Sequence, residues 1–136
     1  MAVITDRIRN SFDKQTLMKT FEASIEAVEE GFVVIRAPIL TVARQQHGAG
    51  HAALAFGLGD SAAGYAALSV MPEDAEVMTV EMKINLLSPI LGDWLFAEGR
   101  VVRAGRRLVV TTAEVFSETK GVRKQVAIMQ GTMIPA

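Results

Sequence analysis

The sequence contains no cysteine. Disulfide bonds, thiolate metal sites and a cysteine nucleophile are therefore excluded. Only 2 histidines are present, and neither lies at a metal-ligand spacing from the acidic residues, so no metal site is expected. Neither charge is in clear excess, because 14 basic and 15 acidic residues give a net charge of -1. This balance argues against a general nucleic-acid or polyanion binder.

Long hydrophobic runs of the kind that cross a membrane are also missing. The segment 52–70 approaches the required length, but it is rich in Ala and Gly and holds Asp60 near its midpoint, where a charge is costly in lipid. Near the start of the chain, Asp6, Arg7 and Arg9 fall where a secretory signal needs its apolar core. We therefore expect a soluble, cytoplasmic protein.

The residues that are present predict one domain over 1–136, with a helical segment at 1–19. A hairpin is expected to turn near Glu30 and Gly31, and a helix to run from about His51 to Leu68. Alternating apolar residues predict the remaining strands at 79–86, 94–103, 108–117 and 122–133.

This order of elements favours an α+β fold, in which an antiparallel sheet of about five to six strands wraps around one long central helix. In the strand 79–86, the period of two places Val80 and Met82 on one face and Thr79 on the other. No repeat or low-complexity linker interrupts the pattern.

The predicted helix contains three glycines, Gly57, Gly59 and Gly64, each of which costs about 1 kcal/mol relative to Ala in a helix interior. A helix enclosed by a sheet is apolar on nearly every side, and small residues let neighbouring elements approach it closely. We therefore interpret the three glycines as packing devices. Packing does not explain the carboxylate of Asp60 in the same helix.

Three segments carry a resemblance to a known family: QQHGAGHAALAFGLGDSAAGYAA, TVEMKINLLSP and VVRAGRR. Over about residues 20–133 the chain resembles the hotdog-fold acyl-CoA thioesterases of the phenylacetic-acid-degradation (PaaI-like) type. Their signature is His-Gly-Gly at the start of the central helix, an acidic residue nine positions after the His, and Asn or Gln six positions before the His. Here those positions hold His51, Asp60 and Gln45, and the resemblance implies that they form a thioesterase site.

The chemistry of these positions suits thioester hydrolysis. The backbone N–H of Ala52, at the helix start, is suited to stabilising a developing oxyanion, a contribution of roughly 3–4 kcal/mol per donor. Gln45 would donate a second hydrogen bond or position water, and Asp60 would act as general base or as nucleophile. The resemblance implies that Thr79 orients the water. Ala52 and Ala53 replace the glycines of the family signature, so a methyl group of Ala52 is expected near the substrate.

Helix geometry separates the two halves of this site. Nine residues at 100° each place His51 and Asp60 on opposite sides of the helix, about 13 Å apart along its axis. One chain therefore cannot bring both to the same carbonyl, but two chains with packed helices can. We expect a homodimer, or a dimer of dimers, with two equivalent active sites at the subunit interface.

The resemblance also implies contacts with the substrate and its coenzyme A portion. Arginine binds phosphate well, so the turn that contains Arg106 and Arg107 is a candidate. No cofactor is expected beyond the coenzyme A of the substrate, and neither nucleic acid nor membrane is expected as a partner. The implied substrate-binding residues are Ala53, Asn85, Arg106 and Arg107.

Two other functions share these features. A hotdog acyl-CoA dehydratase or hydratase would normally pair its acid with a second catalytic His or acid, and a non-catalytic acyl-CoA-binding module would not need Asp60. Taken singly, Asp60 would more often pair with a buried Arg, and His51 would be an ordinary helix-start residue. Ser61 lacks the G-x-S-x-G context of a nucleophile and is rejected.

Overall fold

The computed structural model describes residues 2–136. The helices are α1 (Ala2–Phe12), α2 (Thr16–Thr20) and α3 (Ala52–Leu68). The strands are β1 (Ser24–Glu29), β2 (Phe32–Pro38), β3 (Val77–Leu86), β4 (Trp94–Ala104), β5 (Val109–Thr119) and β6 (Val122–Pro135). The predicted helices and strands are confirmed and differ only at their ends.

The six strands form one antiparallel sheet in the order β1-β2-β4-β5-β6-β3, and α3 packs against one of its faces. Leu54 and Leu58 of α3 are fully buried against this face, together with Ile35 of β2 and Leu95 of β4. Each such side chain contributes about 1.5–3 kcal/mol by its removal from water. The predicted architecture, a sheet around one long helix, is confirmed.

The sheet leaves one side of α3 uncovered, and the two amino-terminal helices lie over part of it. Phe12 of α1 meets Tyr65 of α3 edge to face, with ring centroids 6.2 Å apart. Met18 of α2 is buried in the same core. Phe56 and Asp60, on the remaining part of this side, keep partial access to solvent.

The glycines of α3 do not all have the role that the sequence predicts. A Cβ atom on Gly57 would lie 3.4 Å from the ring of Phe21, and one on Gly59 would overlap the sulfur of Met129, so both permit close packing. A Cβ atom on Gly64 would meet nothing within 4 Å. The packing interpretation is therefore wrong for Gly64, which lines a pocket instead.

A β-bulge in β3 changes the predicted face of Thr79. Thr79 pairs with Met133 and Glu81 pairs with Thr132, so Val80 is an extra residue without a partner on β6. One extra residue reverses the alternation of side chains on one side of it. Thr79 consequently shares the inner face with Met82, and the predicted opposition of the two is wrong.

The exposed surface gives no sign of a membrane-spanning helix. Within residues 2–136, no helix is both long enough and apolar enough to cross a bilayer.

Two glycine substitutions of the same size should have opposite effects on stability. A Cβ atom on Gly99 of β4 would collide with the backbone of Ala62 and Ala63 in α3. We expect Gly99→Ala to lower the free energy of unfolding by about 1–3 kcal/mol, as overpacking does. Gly64→Ala should raise it by about 0.5–1 kcal/mol, because Ala is the better helix former and the space is free.

Urea unfolding of both variants and the wild type measures these changes. A stabilised Gly99→Ala protein would contradict the close approach of β4 to α3, and a destabilised Gly64→Ala protein would contradict the free space at that position.

Candidate active site

The start of α3 forms one wall of a pocket of about 520 Å³. The loop before the helix is closed by a hydrogen bond from the Gln45 N–H to the Ala49 carbonyl, 2.8 Å long. Gly50 donates to the carbonyl of Ile90 at 2.8 Å, which fixes the loop against the segment that precedes β4. The structure thus brings Gln45, His51 and Ala52 together, opposite Leu86, Leu87 and Ser88.

His51 caps the helix. Its backbone is extended (φ -67, ψ 146), and its Nδ1 atom accepts a hydrogen bond of 2.9 Å from the N–H of Ala53. The N–H of Leu54 donates to the His51 carbonyl at 2.9 Å. Among the described residues, the N–H of Ala52 donates to no protein acceptor. The helix start therefore presents one open donor, at the positive end of the helix dipole, to the pocket.

Asp60 lies in a different pocket, of about 210 Å³, on the uncovered side of α3. The Thr79 hydroxyl donates a hydrogen bond of 2.8 Å to Asp60 Oδ1. This contact depends on the bulge at Val80, because the bulge turns Thr79 toward the helix. The structure thus brings Asp60 and Thr79 together, within one chain.

Burial raises the pKa of the Asp60 carboxyl above its ordinary value of 3.8, and the hydrogen bond from Thr79 acts in the opposite direction. A raised pKa makes a carboxylate a stronger base, which suits it to take a proton from water. Because such shifts gather at functional sites, Asp60 is the strongest candidate catalytic group among the described residues.

The two pockets have no lining residue in common. His51 and Ala52 line the first, and Asp60 and Thr79 line the second. The separation that helix geometry predicts within one chain is therefore present in the structure.

The remaining candidate residues lie elsewhere. Ala53 is exposed beside His51 and lines a smaller pocket of about 230 Å³. Asn85 lies with Glu81 and Lys83 in a depression between β3 and β6. Asn85 pairs with Ile128 of β6, which is exposed. Because successive side chains of a strand point to opposite faces of the sheet, this pairing places Asn85 on the outer face.

Arg106 and Arg107 lie in the exposed turn between β4 and β5, at the same end of the sheet as Asp60. One row of paired residues runs from Ala104 through Val109 and Met133 to Thr79. With neighbouring strands about 4.8 Å apart, Thr79 is about 14 Å from the end of β4.

The sequence patterns miss three polar residues near Asp60. Gln15 Nε2 donates to the Tyr65 hydroxyl at 2.7 Å, and the Ser11 and Tyr65 hydroxyls are 3.1 Å apart. Gln15 Oε1 accepts from the Ser61 hydroxyl at 3.4 Å. Ser11 and Gln15 belong to the amino-terminal segment, outside the part of the chain that shows the resemblance. Tyr65 offers a signal, because it is the 1 tyrosine of the sequence and its hydroxyl needs a partner inside an apolar helix.

Comparison with known proteins identifies the fold and the family. The profile of the thioesterase superfamily matches residues 47–124. A thioesterase family protein from Silicibacter pomeroyi is 37% identical, with a TM-score of 0.95 and coverage of 97% of each chain. No curated protein sequence matches the chain significantly.

More distant structures share the fold. The E. coli PaaI protein from the phenylacetic acid degradation operon has a TM-score of 0.88 at 22% identity, covering 99% of this chain and 94% of its own. A Bacillus halodurans protein, whose structure contains CoA, has a TM-score of 0.81 at 21% identity, covering 99% of this chain and 89% of its own. The predicted hotdog fold and its PaaI-like resemblance are confirmed.

The contact between Thr79 and Asp60 can be tested by titration. Thr79→Val removes the hydroxyl but keeps the shape, so the pKa of Asp60 should rise further once the opposing hydrogen bond is lost. NMR of the Asp60 side-chain carboxyl carbon across a pH series measures the change. Thr132→Val is the matched control, because its hydroxyl donates to Glu81 on the exposed side of the strand.

An Asp60 pKa that falls, or that responds equally to both substitutions, would contradict the assigned contact.

Proposed function

This chain belongs to the thioesterase superfamily, and we propose that it hydrolyses an acyl-CoA thioester. The observation that carries the proposal is the Asp60 carboxylate. It is half-buried and accepts a hydrogen bond from Thr79, and its burial raises its pKa. A carboxylate held in this way has no packing function in an apolar helix. A general base that assists the attack of water would explain its presence.

The chemistry requires two groups to meet at one carbonyl. Asp60 takes a proton from water as the water oxygen attacks the carbonyl carbon, or its carboxylate attacks that carbon directly. The carbonyl oxygen gains negative charge, which the backbone N–H of Ala52 and the side-chain amide N–H of Gln45 would stabilise. Both residues line the pocket at the helix start, which supports this role. When water attacks, the carbon–sulfur bond then breaks and the CoA thiolate takes up the proton that Asp60 removed from water. When Asp60 attacks directly, the carbon–sulfur bond breaks to leave the acyl group on Asp60 as an anhydride, the thiolate takes a proton from solvent, and water then hydrolyses the anhydride. Both routes end in a carboxylic acid and the CoA thiol.

We propose that the two groups come from two copies of the chain. β3 is an edge strand of the sheet, and its Met78, Val80 and Leu86 side chains are 55%, 54% and 54% exposed. An unpaired edge with exposed apolar side chains is a template for pairing with another strand. A second β3 is such a strand, and this pairing would give a symmetric homodimer.

Antiparallel pairing of the two β3 strands would also bring the half-sites together. The Asp60 pocket is lined by Val77 and Thr79, at the start of β3. The helix-start pocket is lined by Leu86, at the end of β3. In an antiparallel pair the start of one strand lies beside the end of the other, so Asp60 of each copy would face the helix start of its partner.

The coenzyme A portion would be bound from the Asp60 end of the sheet. Arg106 and Arg107 lie at that end, and guanidinium groups bind phosphates with paired hydrogen bonds. The Bacillus halodurans protein with the same fold contains CoA, which supports a CoA ester as the substrate. We further propose that no metal or redox cofactor takes part; within residues 2–136 no group of three or more His, Asp or Glu side chains is placed to hold a metal.

The proposed activity is tested by incubating the protein with short, medium and aromatic acyl-CoAs and with an enoyl-CoA, while free thiol, loss of the enoyl double bond and binding are each measured. Release of thiol would support the proposal. Hydration of an enoyl-CoA without thiol release would point to a hydratase, and binding without any turnover would point to a non-catalytic module.

Removal of the carboxylate should separate activity from stability. We expect Asp60→Asn to reduce kcat by at least about 100-fold, as loss of a general base does. The pKa of Asp60 is higher in the folded state than the 3.8 of the unfolded state. The free energy of unfolding therefore decreases as the pH rises from 3.8 through the folded-state pKa, where the buried carboxyl ionises. Asn does not ionise, so the variant should be at least as stable as the wild type at pH 7.

Activity assays and thermal unfolding at pH 3 and pH 7 check both effects. Near-normal turnover in the folded variant would refute the role of Asp60, and a stability gain confined to pH 3 would contradict the direction of the pKa shift.

Mixed dimers test the shared site. In a dimer of one Asp60→Asn chain and one Gln45→Ala chain, one site carries both substitutions and the other carries neither. Each parent dimer lacks one of the two groups in both of its sites. After random reassortment about half of the dimers are mixed and each has one intact site, so the activity should rise above that of both parents, to about a quarter of the wild-type activity or more. Mass spectrometry verifies the mixed species. A mixed dimer no more active than its parents would show that the residues do not act across the interface.

A further inference from the structure

The pocket beside Asp60 contains a volume that side chains of the protein leave unfilled. Gly64 lies one helical turn after Asp60 and lines the same pocket, and a Cβ atom there would meet nothing within 4 Å. Elsewhere the interior is closely packed: at Gly59 and Gly99 the same addition would overlap neighbouring atoms. The free volume at Gly64 is therefore a local feature of the Asp60 pocket, which at about 210 Å³ is smaller than the usual ligand cavity.

The far wall of this pocket is polar and ordered. The side chains of Ser11 and Gln15 form hydrogen bonds with the hydroxyl of Tyr65, a residue that is only 4% exposed. The amide oxygen of Gln15 also accepts a hydrogen bond from the Ser61 hydroxyl. These contacts fix the hydroxyl and amide groups in place, and all four residues line the pocket. Groups that are held in this way are pre-organised to bind a polar atom of a ligand.

The charge of the lining is negative. Among the described residues that line it, Asp60 and Glu76 are the two charged side chains and none is basic. Arg7, in the adjacent pocket, directs its guanidinium to the carbonyls of Met71, Pro72 and Ala75. A ligand that ended in a carboxylate would therefore meet like charge without a counter-ion.

We propose that this pocket holds the acyl group, and that the preferred acyl group is short, uncharged and carries a hydroxyl beyond the thioester carbonyl. The inference rests on the proposed function, because Asp60 fixes where the carbonyl lies. Gly64 sets the permitted length, and the Ser11, Gln15 and Tyr65 network recognises the hydroxyl.

The recognition of the hydroxyl is tested with Tyr65→Phe. The ring and its contact with Phe12 remain, and the hydroxyl that the network shares is lost. We expect the wild type to prefer 3- or 4-hydroxybutanoyl-CoA over butanoyl-CoA by about tenfold in kcat/KM, and Tyr65→Phe to abolish that preference. Thr132→Val, which removes a hydroxyl from the opposite face of the sheet, should leave the preference unchanged.

The permitted length is tested with Gly64→Ala. Its methyl group would occupy the free space, so the ratio of kcat/KM for butanoyl-CoA to that for acetyl-CoA should fall about tenfold. Succinyl-CoA should be a poorer substrate than butanoyl-CoA in the wild type. An unchanged ratio, or a preference for succinyl-CoA, would overturn the assignment of the acyl group to this pocket.

Calorimetric binding to Asp60→Asn protein separates this inference from the proposed function. If the wild type hydrolyses no acyl-CoA, the proposed function fails. Binding of hydroxybutanoyl-CoA that is tighter than binding of butanoyl-CoA, and that loses this advantage in Tyr65→Phe, would still support the assignment of the acyl group to this pocket. Equal binding of hydroxybutanoyl-CoA and butanoyl-CoA, or a preference that Tyr65→Phe does not change, would overturn the inference whether or not hydrolysis is observed.

Discussion

The rise and twist of one α-helix constrain the rest of this structure. Nine residues separate His51 from Asp60 in α3, and nine residues of helix place two groups about 13 Å apart on opposite sides. No side-chain rotation closes that distance around the helix. A hydrolytic site that uses both the helix start and the carboxylate would therefore need a second copy of the chain. In the proposed dimer, the exposed edge strand β3 makes the contact between the two copies.

The sheet is adapted to this requirement at a single residue. Val80 is inserted into β3 as a bulge, so Thr79 faces α3 and reaches Asp60 at 2.8 Å. Without the extra residue, regular alternation would turn Thr79 to the outer face, and Asp60 would lose the hydrogen bond that offsets its burial. A local irregularity of one strand thus places the Thr79 hydroxyl against the carboxylate and limits the rise in its pKa that burial causes.

The sequence predicts those features that depend on local pattern. Alternation identifies the strands, and the composition of 52–68 identifies the helix, because these signals repeat within each element. Asp60 is conspicuous since a carboxylate is rare in so apolar a helix. Thr79 is identified only through the family resemblance, and its face is mispredicted because the bulge arises from pairing with Met133 and Thr132, far along the chain. The contact of Gln15 with Tyr65 and the space beside Gly64 depend on three segments meeting, which periodicity does not encode.

A crystal structure with a non-hydrolysable acyl-CoA analogue tests the shared site most directly. The carbonyl oxygen should lie about 3 Å from the Ala52 N–H of one copy. The carbonyl carbon should face Asp60 of the other copy, and the acyl group should extend toward Gly64 in that same copy. A carbonyl that contacted Ala52 and Asp60 of one chain, or that lay away from both, would contradict the account.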